Sequence, residues 1–207
     1  DSVRRITTVR ARGTVPTKRM SFAVERLTTG LLSLLVALAA ILPASVTPAH
    51  AAPKMTQARC QRLAVQAQKK LALSQLPKVK CGVDLTKTCG SSCLGWASSG
   101  YWGSEAPRKA TVRISKRANG RSDKQVLQVM LHEFSHVKYI TASAKKRKAA
   151  RKVLRVASDE AMLAGSSTRM PIEQLAQAAA VCLGGADWGA YKRLSCAKSA
   201  KAHKALS

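Results

Sequence analysis

The segment His132-Glu133-Phe134-Ser135-His136 sets two imidazoles four residues apart with a carboxylate between them. On an α-helix, positions i and i+4 share one face, one turn apart. Two imidazoles so placed can both reach one zinc ion at about 2.0–2.1 Å, and the adjacent carboxylate can reach a water on that ion. Zinc brings the pKa of its water down to about 7 and polarises a carbonyl. Glu133 would take the proton from that water and pass it to a leaving amine. The expected reaction is therefore hydrolysis of a peptide bond, with Zn2+ as cofactor and a peptide or protein as substrate. With 4 His among 207 residues, chance yields this pattern only about 0.002 times per chain, so coincidence is a poor explanation.

The chemistry needs a rigid helix, and the flanking residues supply one. Ser122-Asp-Lys-Gln125 is a capping box, and Val126, Leu127, Val129, Met130, Phe134 and Val137 follow at the spacing of a largely buried helix to about Ile140. Residues 56–75 and 143–157 also read as helices. Pro171 suits the first turn of another, whose Ile172, Leu175, Ala179 and Cys182 share a face before Gly184-Gly185 stops it. A last helix is expected from about Trp188 to Ala205. Residues 78–121 are rich in Gly, Ser, Thr and Cys. Lys78–Val83 and Ala110–Ser115 are the strand candidates, and the tract between them reads as a disulfide-pinned loop region with a hairpin. The expected fold class is α+β: a mainly helical domain with a small disulfide-pinned β region preceding the motif helix.

The motif in its capped helix resembles the zincin metallopeptidases over residues 122–140. The metzincin branch carries Gly three positions after the motif and His six positions after it; Tyr139 and Ala142 stand there instead. Glu173-Gln-Leu-Ala176-Gln177 is similar to the gluzincin segment Glu-x-x-Ala-Asp, so the resemblance implies Glu173 as third ligand beside His132 and His136. Gln177 replaces the family's Asp, which orients a ligand histidine; an amide offers a similar hydrogen bond without the charge. Asp159 and Glu160 are alternatives for the third ligand. So is Asp187, whose segment Gly185–Tyr191 loosely resembles an aspzincin ligand segment. Tyr139, Tyr191 and His203 are candidate donors to a developing oxyanion. Residues 110–115 are expected to form the edge strand that pairs with an extended peptide, as in zincins generally. The architecture looks like that of small secreted bacterial zincin-like proteins. A reading from a different class is a cationic extracellular binding protein on a zincin scaffold, with zinc structural or absent.

Composition bounds these readings. Hydrophobic residues make up 46% of the chain, too many for a disordered tail. Residues 1–51 read as a leader: an upstream extension, then Met20 as initiator, a basic stretch, the apolar run Gly30–Leu42 and a cleavage signal ending at Ala51. The run is about a dozen residues, short of the ~20 a spanning helix needs, so no membrane span is expected after cleavage. Residues 52–207 form the expected single domain. They carry 29 basic and 8 acidic residues, a net charge of +21. All six Cys fall there, and an even count in an exported chain predicts three disulfides in a secreted, extracellular protein. Cys182–Cys196 is the favoured pair, because the glycines between them allow a tight return. The block Lys145–Lys148 with Arg151, Lys152 and Arg155 lacks interleaved aromatics, so no specific nucleic-acid partner is expected; it reads as a solvated helix face, with electrostatic association with an anionic cell-wall polymer as the alternative.

Overall fold

The structure is a computed structural model. It describes residues 54–98, 103, 106–166, 169–184 and 194–207. The expected leader and its cleavage site, Asp187, Trp188 and Tyr191 lie outside the described residues; the last helix, expected from about Trp188, begins only at Cys196, because Ser195 caps it there by accepting from the Lys198 N–H. The elements run α1 (Gln57–Leu71), β1 (Lys78–Val83), α2 (Thr86–Cys89), β2 (Gly95–Ser98), β3 (Thr111–Ser115), α3 (Asp123–Thr141), α4 (Ala144–Leu154), α5 (Asp159–Met162), α6 (Pro171–Cys182) and α7 (Cys196–Ala205). The class is α+β, as the sequence predicts. No helix among the described residues is long and apolar enough to cross a membrane.

The three strands form one sheet in the order β1-β3-β2, with β1 parallel and β2 antiparallel to β3. This corrects the expectation for residues 110–115. β3 is the central strand, its backbone groups committed on both sides, so it cannot receive an extended peptide. The physical reason is its neighbours: Val112 and Ile114 are fully buried and need cover that an edge does not give. The tract expected to be loop and hairpin supplies the missing edge strand, β2.

α3 is the axis of the molecule. Its N-terminus carries the predicted capping box: the Gln125 N–H donates to Ser122 Oγ at 3.3 Å, and the Ser122 N–H donates back to Gln125 Oε1 at 3.0 Å. Every residue from Val126 to Thr141 is buried. Phe134, Met130 and Val126 pack with Leu63 of α1 and Val112 and Ile114 of β3. Further along, Tyr139 packs with Ala150 and Leu154 of α4, Ile172 and Leu175 of α6 and Ala202 of α7. α1 stops earlier than Pro77, because Ala72 takes a left-handed conformation (φ 50°) and its N–H caps the Gln68 and Lys69 carbonyls. Three disulfides staple the elements: Cys60–Cys81, Cys89–Cys93 and the expected Cys182–Cys196.

Asp159, at the start of α5, gathers α3 and α4. It accepts from Tyr139 Oη at 2.6 Å, from Arg147 Nε at 3.0 Å and from Arg151. Burial alone would raise its carboxyl, but these three donors outweigh that and hold it below the ordinary value. A carboxyl depressed by folding contributes stability above its unfolded value of about 3.9, and that contribution is lost as pH falls through the folded value. Asp159→Asn is therefore expected to cost about 1–3 kcal/mol near neutral pH. The gap to wild type should close in acid, below about pH 4. Urea unfolding of both proteins at the two pH values checks this; a gap unchanged in acid would assign the loss to packing instead.

Candidate metal centre

α3 presents His132, Glu133 and His136 near the middle of its buried length, and each is only 2% exposed. The two rings meet edge to face with centroids 4.8 Å apart. α6 approaches from the side with Pro171 in its first turn, which fixes the entry backbone and needs no N–H partner. Glu173 follows in that first turn, where the unpaired helix N–H groups favour a carboxylate. Its side chain is 0% exposed and reaches both imidazoles.

The distances have the size a metal requires. His132 Nε2 lies 3.0 Å from Glu173 Oε2, His136 Nε2 lies 3.4 Å from Glu173 Oε1, and the two Nε2 atoms are 3.1 Å apart. Ligands about 2.0–2.1 Å from a tetrahedral ion stand ~3.3 Å from one another. One ligand atom from each of the three residues lies within 4.8 Å of the other two. Among the described residues this is the one group of His, Cys, Asp or Glu that could hold a metal ion. The residue chemistry fits as well. Glu173 Oε1, Glu133 Oε1 and His136 Nδ1 are buried without hydrogen-bond partners among the described residues, and an orphaned carboxylate oxygen in a dry interior calls for a cation.

The electrostatics separate the two glutamates. Burial pushes both carboxyls up. For Glu173 the contacting imidazoles more than reverse this, and its value is lowered. For Glu133 burial prevails over the pull of His132 and His136, and its value is raised. Burial lowers and the Glu173 charge raises the value for His136, with a net rise. Thus Glu173 is held as an anion beside the rings, while Glu133 is poised to carry a proton.

Glu133 is held by the edge strand. The Ala97 N–H, which does not point into the sheet, faces this carboxylate and lowers its value slightly. β2 runs close above α3 at this point. A Cβ on Gly95 would lie 2.6 Å from Glu133 Oε1 and 2.7 Å from Val129 Cγ1. Only glycine lets the strand approach so near. Sequence reasoning missed both Gly95 and the Ala97 amide. The available signal was a glycine inside the short apolar run Leu94-Gly-Trp-Ala97, which marks close backbone approach in a strand.

The other candidates fall elsewhere. Asp159 is committed to Tyr139, Arg147 and Arg151, and Glu160 is exposed on α5 outside the group. Tyr139 is fully buried with its hydroxyl on Asp159, so it is not an oxyanion donor. His203 Nε2 sits 3.2 Å from Ser135 Oγ, away from the ligand group; burial and the Lys138 charge lower its pKa to about 4, leaving it neutral. Gln177 is buried one turn after Glu173, but its Nε2 has no partner among the described residues. Searches of family models, curated proteins and solved structures find no match to the chain.

Gly95→Ala is expected to push β2 and Glu133 apart and to cost about 1–3 kcal/mol, as overpacking does. Chemical denaturation measures it. Wild-type stability in the variant would mean that the strand is free to move and does not hold Glu133.

Proposed function

We propose that the chain is a secreted zinc-dependent peptidase of the zincin kind. The observation that carries the reading is the convergence of His132, His136 and Glu173 at tetrahedral spacing beside a glutamate that coordinates nothing. Two imidazoles and one carboxylate are a donor set suited to zinc, and three protein ligands leave a fourth position for solvent. When bound, the ion supplies a Lewis acid and lowers the pKa of its water. His132 and His136 bind through Nε2, and Glu173 supplies the negative charge that holds the ion. Glu133 accepts the proton of the attacking water and later delivers it to the leaving amine. Gly95 lets β2 pack directly on that carboxylate and limits its movement. The rest of the outer edge of β2 is the place for an extended substrate strand, in the position expected of residues 110–115. Export is supported by the three disulfides, which persist in oxidising compartments.

One observation favours the rival reading, a cationic extracellular binding protein with structural zinc or none. The four site residues are almost closed to solvent, as in a structural site. The outcome of two measurements separates the readings. Metal analysis of the purified protein is expected to give one zinc per chain, lost in His132→Ala and Glu173→Ala and kept in Glu133→Gln. Casein hydrolysis is expected for wild type and to fall by about 10²–10⁴-fold in Glu133→Gln. Bound zinc with no hydrolysis by wild type would select the rival; no bound metal would remove the peptidase altogether.

Charge supports the second part of the proposal, retention on an anionic cell-wall polymer. Arg147 and Arg151 turn inward to Asp159, but Lys145, Lys148 and Lys152 stay exposed at helical spacing on α4. Binding of this kind is screened by salt, over about 10 Å at 0.1 M and about 3 Å at 1 M. Wall-bound protein is expected to elute on raising salt across that range, and retention at the upper end would exclude the electrostatic mechanism.

A further inference from the structure

On the side of α3 turned away from the two histidines lies a second feature. Lys138 is two residues past His136, and at about 100° per residue this turns it nearly to the opposite side of the helix from that ring. Its ammonium is buried, the residue being 5% exposed, and it donates to the Leu71 carbonyl and to Ser207 Oγ, each at 2.8 Å. Both acceptors are neutral. Lys138 forms no ion pair among the described residues, and its third N–H has no partner there. A buried cation without a counter-ion costs several kcal/mol, which makes the position one that an anion would relieve.

Lys138 lines a cavity of about 320 Å³ between the C-terminal ends of α1 and α6 and the face of α7. The volume is at the lower end of the range for small-molecule sites, about 300–1,000 Å³. Leu71, Ala179, Leu183 and Ala200 make its walls apolar, and the Cys182–Cys196 bridge ties two of those walls together. Lys70 and Lys204 also line it, and no Asp or Glu among the described residues does. His203, in the same wall, is neutral near pH 7.

We propose that this cavity is a ligand site, separate from the metal centre, for a small amphiphile with a carboxylate or phosphate head and a short apolar body. The head pairs with the Lys138 ammonium, with Lys70 and Lys204 attracting it to the mouth. The body lies against the aliphatic wall and the disulfide. Neither half of the site suffices: the lysines alone offer a solvated anion little, and the apolar wall alone is small.

Calorimetric titration of the full chain with octanoate, octanol and inorganic phosphate tests this. Octanoate is expected to bind at least about tenfold more tightly than octanol or phosphate. Lys138→Met should weaken octanoate at least about tenfold while leaving zinc content unchanged. Ala200→Trp fills the cavity from an exposed wall position and is expected to abolish binding without unfolding the chain, which keeps the test decisive even where Lys138→Met fails to fold. The proposal is overturned by any of three results: octanoate does not bind wild type, octanol or phosphate binds as tightly, or Ala200→Trp leaves the octanoate affinity unchanged.

Discussion

Two carboxylates and two imidazoles cannot share a water-excluded interior without positive charge among them. That constraint organises this molecule. Glu133 and Glu173 are both removed from solvent, and among the described residues the Glu173 carboxylate meets the rings of His132 and His136. Either the imidazoles carry protons or a cation takes their place. The surrounding elements are arranged to bring the lone pairs together rather than to neutralise them. α3 is sealed along its length so that the rings keep one rotational setting. Pro171 starts α6 where its third residue meets them. Gly95 lets β2 descend onto Glu133 from above.

The part of this site that obeys local rules was legible in the sequence. A capping box followed by helical apolar spacing fixed the phase of α3, and the i, i+4 geometry of the histidines needs nothing else. Glu173 was reached through its similarity to a ligand segment, and α6 does bring it to the rings. The Cys182–Cys196 bridge was legible too, since a glycine-containing return between two helices leaves few other partners. Two of the three strands, β1 and β3, were legible as short alternating runs, but β2 and the strand order were not. β1 and β3 are parallel and separated by more than twenty-five residues, with β2 added on the far side, and no local pattern encodes strand order. Asp159 was misread as a candidate ligand because a lone acid beside a basic helix looks the same in sequence whether it turns to a metal or to Arg147 and Arg151.

The acidic residues are so few that nearly every described one has a structural task. Asp84 pairs with Lys116, Asp123 with Arg59 and Arg62, and Asp159 with Arg147 and Arg151, while Glu133 and Glu173 lie in the centre. The basic residues greatly outnumber them, and Lys145, Lys148 and Lys152 are among the described cations that lie exposed. Charge so placed acts on partners rather than on the fold.

The positions of the disulfides carry one more implication. Cys60–Cys81 joins α1 to β1, Cys89–Cys93 closes a local loop and Cys182–Cys196 joins α6 to α7. None of the three links α3 to α6, the two helices that contribute the ligands. Their mutual registry rests on side-chain contact alone. An ion gripped by His132 and His136 on one helix and Glu173 on the other would therefore act as the missing rivet, and its departure would loosen a seam that no covalent bond holds shut.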